Sequence, residues 1–312
     1  MKRKIIGIGE TILDILFRGD QPISAYPGGS TFNAMVSLGR VGINTLFISE
    51  VGNDRVGDYI RKFLSENGVN SEGVAIYRNS KTPISLAYLN DKNDAEYLFY
   101  RDAQNEQIDF ICPEINKDDI ILFGSYYALN PIVRQKVEYV LKQARSKEAI
   151  IYYDINFRQA HKDEVIKLTP NLLENFDYAT IVRGSREDFQ NLFKKENPDD
   201  IYESEISFYS NHFIFTNGSE PIIVHSLDKF RKEYKVQDID VLSTVGAGDN
   251  FNAGFIFGLL KNNITIEDLN TGLTEHQWDD LVDYAQAFSI NCCKDIFNYI
   301  SCDFAQQIKQ KH

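Results

Sequence analysis

A layered α/β fold is expected from this sequence on three grounds. Short apolar runs bounded by turn residues alternate with longer stretches of helical period along the chain. Such alternation favours parallel strands joined by right-handed crossovers, with helices covering both faces of the sheet. With 312 residues, 43% of them hydrophobic and 25% charged, the chain can also bury a large core.

Taken along the chain, Ile5–Ile8 is apolar and stops at Gly9 and Glu10, as a strand does at a turn. The stretch Ile12–Tyr26 breaks the alternation. Ala34–Arg40 has a helical pattern and ends before Gly42, Thr45–Ser49 reads as a strand, and Asp54–Asn67 as an amphipathic helix. Ser85–Arg101 interrupts the pattern again and reads as a hairpin around Asn90, Asp91, Lys92 and Asn93. Strands are then expected at Ile120–Phe123, Ala149–Tyr153, Tyr178–Val182 and His212–Thr216, with amphipathic segments at Pro131–Arg145 and Arg186–Phe193. Asn250–Lys261 is apolar enough for a buried helix. No linker, composition shift or repeat marks a boundary, so residues 1–312 read as one domain with a small β appendage.

Charge and motif content exclude several functions. A formal net charge of −12 and a pI near 5.0 argue against nucleic acid as a partner. No run approaches the ~20 apolar residues that span a bilayer, and Glu10 and Asp14 interrupt the N-terminal apolar run, so neither a membrane span nor a signal peptide is expected. Cys112, Cys292, Cys293 and Cys302 have no disulfide-scaffold or zinc spacing, which fits a reducing cytoplasm. The five histidines share no metal-ligand spacing, and neither a P-loop nor a nucleophile elbow is present. The glycines at 7 and 9 lack the third glycine of a dinucleotide fingerprint, which sets an NAD-dependent oxidoreductase aside.

Three segments could carry chemistry. In the first, Gly246, Ala247 and Gly248 form a turn before Asp249 and the buried helix. Amides at such a helix start attract negative charge, and an aspartate there can take a proton from a hydroxyl or simply cap the helix. In the second, Gly28 and Gly29 precede Asn33; the pair allows close backbone approach to a ligand, and Asn33 offers both donor and acceptor to a polyol, or the segment is a plain loop-to-helix turn. In the third, Asp154, Asn156 and Arg158 follow an apolar strand, at the strand end where open α/β sheets bind ligands. Arg158 could clamp a phosphate or form a surface ion pair.

In this order and together, these segments resemble the PfkB/ribokinase family of ATP-dependent sugar kinases. The resemblance covers Ile5 to about Cys293. One signature is Gly28, Gly29 and Asn33, continuing into Leu38–Gly42 and Val51, Gly52, Asn53, Asp54 and Gly57. The other is Thr244, Gly246, Ala247, Gly248 and Asp249. It implies a ribokinase-like three-layer α/β/α fold with a mostly parallel sheet, and a small β lid from about 12–26 and 85–101. It also implies that Asp249 is the catalytic base and that Gly246, Ala247 and Gly248 form the anion hole. Asp14, Gly28, Gly29 and Asn33 match the family's sugar contacts, with Arg101, Asn156 and Arg158 added to them. Ser185, Asp188, Thr216 and Gly218 match the nucleotide side, and Asp188 would hold Mg²⁺ through water. Within the family, Gly9, Glu10, Thr11 and Asp14, with Phe99, Tyr100 and Arg101 and the Asp154–Arg158 segment, are nearest to fructokinases and 2-keto-3-deoxygluconate kinases.

The expected reaction is transfer of the ATP γ-phosphoryl group to a primary hydroxyl of a small sugar, fructose first, with 2-keto-3-deoxygluconate or ribose as alternatives. Both subfamilies carry an arginine such as Arg101, so it does not choose between a neutral and an acidic sugar. A homodimer through the lid is the implied partner. A non-catalytic sugar-binding protein on the same fold is the rival reading, motivated by three departures from the pattern. Ser243 stands where the family has an aspartate, Asp188 where it has a glutamate, and Ala287–Tyr299 lacks the small residues of the adenine and cation loop. Without the carboxylate at 243, and unless Asp240 replaces it, a K⁺ site loses its charged ligand.

Overall fold

In the computed structural model, which describes residues 3–89, 95–102 and 112–310, the apolar runs become strands. In chain order these are β1 (Ile5–Ile8), β2 (Ile12–Arg18), β3 (Gln21–Gly28), β4 (Thr45–Gly52), β5 (Val69–Asn70), β6 (Val74–Tyr77) and β7 (Ile84–Leu89). They continue with β8 (Ala95–Tyr100), β9 (Ile120–Gly124), β10 (Ile150–Asp154), β11 (Ile181–Ser185), β12 (His212–Asn217), β13 (Glu220–His225) and β14 (Arg231–Tyr234). The large sheet has the order β14-β13-β12-β11-β10-β9-β1-β4-β5, with β6 also on β4. Pairing is parallel from β12 to β5, and β13 and β14 are antiparallel additions.

Alternation along each strand divides the core in two. Ile120, Leu122, Ile150 and Tyr152 face one cluster, and Ile121, Phe123, Ile151 and Tyr153 face the other. The helices are α1 (Ser30–Arg40), α2 (Arg55–Glu66), α3 (Ser125–Leu129), α4 (Arg134–Ser146), α5 (Val165–Tyr178) and α6 (Arg186–Phe193), then α7 (Pro198–Ile201), α8 (Ala247–Lys261), α9 (Ile266–Thr271), α10 (Glu275–Cys293) and α11 (Cys302–Gln310). Buried residues of α1, α2 and α8 to α11 belong to the first cluster, and those of α3 to α7 to the second. The sheet is therefore the middle of three layers, as expected.

Several boundaries differ from the sequence reading, and two of them have a clear packing reason. The strand expected at Tyr178–Val182 starts at Ile181, because Leu168, Leu172 and Phe176 bury one stripe of α5 and carry that helix through Tyr178. Residues 287–293 of the expected adenine and cation loop are helical, since Ala285, Phe288 and Cys292 continue the buried face of α10. Only the rest of that segment, from Lys294, is irregular.

A second sheet, β3-β2-β7-β8, is built from the two stretches that broke the alternation. Here β2 pairs antiparallel with β3 and parallel with β7, and β7 pairs antiparallel with β8. The turn expected at Asn90–Asn93 lies outside the described residues. Asp54 ties this sheet to the large one. Its side chain caps α2 by accepting from the Gly57 amide at 2.8 Å, and its other oxygen accepts from the Thr82 amide at 2.8 Å. Thr82 Oγ1 in turn accepts from the Gly52 amide at 2.9 Å, so the end of β4 and the approach to β7 share one bracket. Among the described residues no helix is long and apolar enough to cross a membrane.

Replacing Asp54 with alanine removes a helix cap and leaves three donors, the Gly57 and Thr82 amides and the Thr82 hydroxyl, without their acceptor. We expect a loss of about 1–2 kcal/mol in urea-denaturation stability. An unchanged midpoint would show that the bracket contributes nothing.

Candidate active site

The parallel strands β1 and β9 to β12 all end on one edge of the sheet, and two helices begin there facing each other. Ser30 and Asn33 lie three residues apart in the first turn of α1, hence on one face. Asp249 lies in the first turn of α8. Ser30 Oγ donates to Asp249 Oδ1 at 2.7 Å and Asn33 Nδ2 donates to Oδ2 at 2.8 Å. One turn further along, Ser37 Oγ donates to Asn250 Oδ1 at 2.5 Å and continues the seam. Burial pushes the Asp249 carboxyl up to about 6. The Asn33 and Ser30 donors oppose that rise, Asp154 adds to it, and the charge of exposed Arg158 counters it.

The turn before Asp249 needs glycine. Gly246 has φ +79°, and a Cβ there would lie 2.7 Å from the Asn298 carbonyl oxygen. Asn250 Nδ2 donates to the carbonyls of both Gly246 and Asn298 at 2.8 Å, locking the turn to the segment after α10. The Ala247 amide, expected in the anion hole, donates to the Thr244 carbonyl at 3.2 Å within the turn. The amides of Gly248 and Asp249 have no acceptor among the described residues, and they point from the positive end of α8.

Behind this turn Arg183 of β11 is buried. Its Nη1 donates to Asp154 Oδ1 at 2.9 Å and its Nη2 to Thr216 Oγ1 at 2.6 Å. The guanidinium lies against Gly248, about 3 Å from where a Cβ would sit. It thus joins Thr216 to Asp154 and sets a fixed positive charge beside the free amides. Ser30 Oγ also reaches Asp154 Oδ2 at 3.5 Å.

Asp14 of β2 pairs in register with Ser85 of β7, and Ser85 Oγ donates to its carboxylate. Burial pushes the Asp14 carboxyl up to about 6, against the pull of the Ser85 hydroxyl. Gly28 packs beside this carboxylate, and Gly29 passes close to the Glu10 carbonyl. Arg101, just beyond β8, lies 3.1 Å from the Glu10 carboxylate. Asn156 follows β10 with a left-handed φ of 38°. Gly218 stands at the open turn between β12 and β13.

Asp188 and Ser185, expected on the nucleotide side, also serve the chain itself. Asp188 Oδ1 accepts from the Phe157 amide at 2.6 Å, and its Oδ2 accepts from the Ser185 amide at 2.6 Å and the Ser185 hydroxyl at 2.7 Å. Ser185 and Asp188 form the capping box of α6, so both satisfy the chain's own backbone there. Among the described residues no group of three His, Cys, Asp or Glu side chains is placed to hold a metal.

Ser30, Ser85, Arg183 and Asn298 were not singled out from the sequence. Ser30 was legible, since it shares a helix face with Asn33. Arg183 had a weaker signal, a charge inside an apolar strand. Ser85 and Asn298 depend on strand register and on loop geometry, which local patterning does not encode.

The profile described as pfkB family carbohydrate kinase matches residues 4–292. The chain is 24% identical over 277 residues to 5-dehydro-2-deoxygluconokinase 2 of Bacillus cereus, covering 82% of each chain. It is 25% identical over 279 residues to probable fructokinase-6, chloroplastic, of Arabidopsis thaliana, covering 85% of this chain and 72% of that one. Among solved structures, a double mutant of the fructokinase of Vibrio cholerae O395, in a form with fructose, ADP and potassium ion bound, superposes with a TM-score of 0.85 at 17% identity over 98% of both chains.

The raised Asp249 carboxyl also makes a stability prediction. Below about pH 4 it is protonated whether the chain is folded or not. As pH rises towards 6 the unfolded chain ionises first, so the folded state loses stability relative to it, and the penalty is complete above pH 6. Asp249→Asn removes the ionisation, and the Asn33 amide can turn over to match it, its Oδ1 having no partner. The variant should therefore melt a few degrees higher than the parent at pH 7.5, with the difference closing below about pH 4. A variant less stable at pH 7.5 would contradict this.

Proposed function

The chain belongs to the pfkB family of carbohydrate kinases, and on that premise we propose that it transfers the γ-phosphoryl group of ATP to a primary hydroxyl of a small neutral sugar, fructose at its C6 hydroxyl first among them. Family membership makes the protein a phosphotransferase with an alcohol acceptor. The observation that carries the finer reading is the Asp249 carboxylate, buried at the start of α8 beside free amides and held by Ser30 and Asn33. A carboxyl that titrates near 6 is ionised at neutral pH yet more basic than an exposed one, which suits a general base. In this reading Asp249 orients the acceptor hydroxyl and takes its proton. The amides of Gly248 and Asp249, with Arg183 behind them, stabilise charge on the transferring group.

Asp14, Gly28, Gly29 and Asn33 would hold the sugar, and Thr216 and Gly218 would border the nucleotide. Asn156 and Arg158 would stand at the strand end between them. The side-chain set suits a magnesium ion that arrives on the triphosphate, because such an ion keeps waters and needs few protein ligands. Closure of the small sheet as a lid would exclude water. Exposed Ile23, Leu98, Phe99 and Tyr100 on that sheet support a homodimer through it.

Arg101 lies 3.1 Å from the Glu10 carboxylate, an ion pair that would have to open before Arg101 met a substrate carboxylate, and this supports a neutral acceptor. The second reading, an acidic keto sugar, is favoured by the likeness to a 5-dehydro-2-deoxygluconokinase.

Three measurements test the proposal. An ADP-release screen over fructose, 2-keto-3-deoxygluconate, 5-dehydro-2-deoxygluconate, ribose, tagatose and nucleosides should find fructose highest in kcat/KM. No turnover on any sugar would favour a sugar-binding protein instead. Asp249→Asn should lower kcat by about 10²–10⁴ with little change in sugar or ATP binding, and activity within a few-fold of the parent removes Asp249 from its role. Rates should require Mg²⁺ but be nearly independent of KCl, with choline chloride holding ionic strength, because neutral Ser243 has its hydroxyl engaged by the Val245 amide at 3.2 Å. A saturable several-fold activation by K⁺ would overturn that expectation.

A further inference from the structure

The segment 294–300, expected on the adenine and cation side, turns back to the opposite end of the site. Its backbone seals the Gly246 turn, as described above. The Tyr26 hydroxyl of β3 donates to the Ile296 carbonyl at 3.3 Å, and the Tyr26 and Phe297 rings meet edge to face at 5.7 Å. The segment is therefore held between the phosphate-side turn and the small sheet.

Asn298 lies at the centre of that bridge and is 3% exposed. Its carbonyl is engaged by Asn250, but its side-chain Oδ1 is buried with no partner, and its Nδ2 has no hydrogen bond to the described residues. A buried amide rarely stays unpaired in its functional state. Nδ2 lies 3.8 Å from the point where a Cβ on Gly28 would project, and the Asp14 carboxylate borders the same point. The carboxylate lies too close to that point for any side chain at 28, so Gly28 lets the amide and the carboxylate border one spot. A free amide donor beside a carboxylate acceptor matches a hydroxyl group, which donates once and accepts once or twice.

We propose that Asn298 is a substrate-binding residue that, with Asp14, clasps one hydroxyl of the acceptor sugar. The inference rests on the reading that the Asp14 end receives the sugar. It adds a residue from the C-terminal segment to that end and makes acceptor recognition depend on the segment that also fixes the anion-binding turn.

The test is steady-state kinetics of Asn298→Ala and Asn298→Asp with the best sugar and with its monodeoxy analogues. Asn298→Ala should raise the sugar KM roughly three- to tenfold, with the ATP KM moving less than twofold. Asn298→Asp keeps the shape and so protects against misfolding, but it replaces the donor by a charge facing Asp14. It should raise the sugar KM further. One monodeoxy analogue, lacking the clasped hydroxyl, should show the same KM with parent and Asn298→Ala, a signature that a merely structural asparagine would not give. Parent turnover with an unchanged sugar KM in both variants, or a rise confined to the ATP KM, overturns the inference alone. A parent without turnover on any sugar overturns the kinase reading and this inference with it.

Discussion

A buried carboxylate at the start of a helix constrains everything around it. Asp249 loses hydration on folding, and the chain replaces it with two neutral donors from another helix start rather than with a direct ion pair. That choice fixes how α1 meets α8, because Ser30 and Asn33 reach both oxygens only if the first turns face each other. The Ser37–Asn250 bond extends the same register into the next turn. Had a lysine or arginine paired directly with Asp249, its basicity would have fallen; neutral donors leave it able to accept a proton near neutrality.

The cation sits one step away. Arg183 neutralises Asp154 and also touches Thr216, while Asp188 is satisfied by backbone amides and the Ser185 hydroxyl. Three carboxylates at one end of the sheet are therefore handled in three ways: neutral side-chain donors, a buried ion pair and a capping box. Keeping the guanidinium buried against Gly248 places its charge beside the free amides without filling the space in front of them.

Six strands of the large sheet, β1, β4 and β9 to β12, were legible because they are short, mostly apolar and end in polar turns, whereas β5, β6, β13 and β14 were not singled out. Asp249, Asn33 and the glycines were legible because each sits at a helix start, where residue type has a local meaning. The shift of Tyr178 from strand to helix came from a stripe of buried leucines and phenylalanine that only the length of α5 reveals. Asp188 was open to two readings, because a capping box and a ligand set look alike in sequence: both place an acidic residue three positions after a serine. Asn298 was hidden for a different reason. In sequence it marked only a departure from a small-residue pattern, and its meaning lies in what its backbone and side chain separately touch.

Both sheets contribute to the end proposed for the sugar, and this couples two kinds of contact. Asp14 is oriented by Ser85 across a parallel strand pair of the small sheet, while Asn33 belongs to a helix of the large body. The Asp54 bracket sets where β7 begins, and therefore where Ser85 falls opposite Asp14. A shift of one residue in that pairing would turn Ser85 to the other face and leave a buried carboxylate without its hydroxyl. Register in a four-stranded appendage thus becomes a condition for the chemistry at the edge of a sheet it does not belong to, which explains why a capping aspartate far from the reacting centre forms part of the same sequence pattern as Gly28, Gly29 and Asn33.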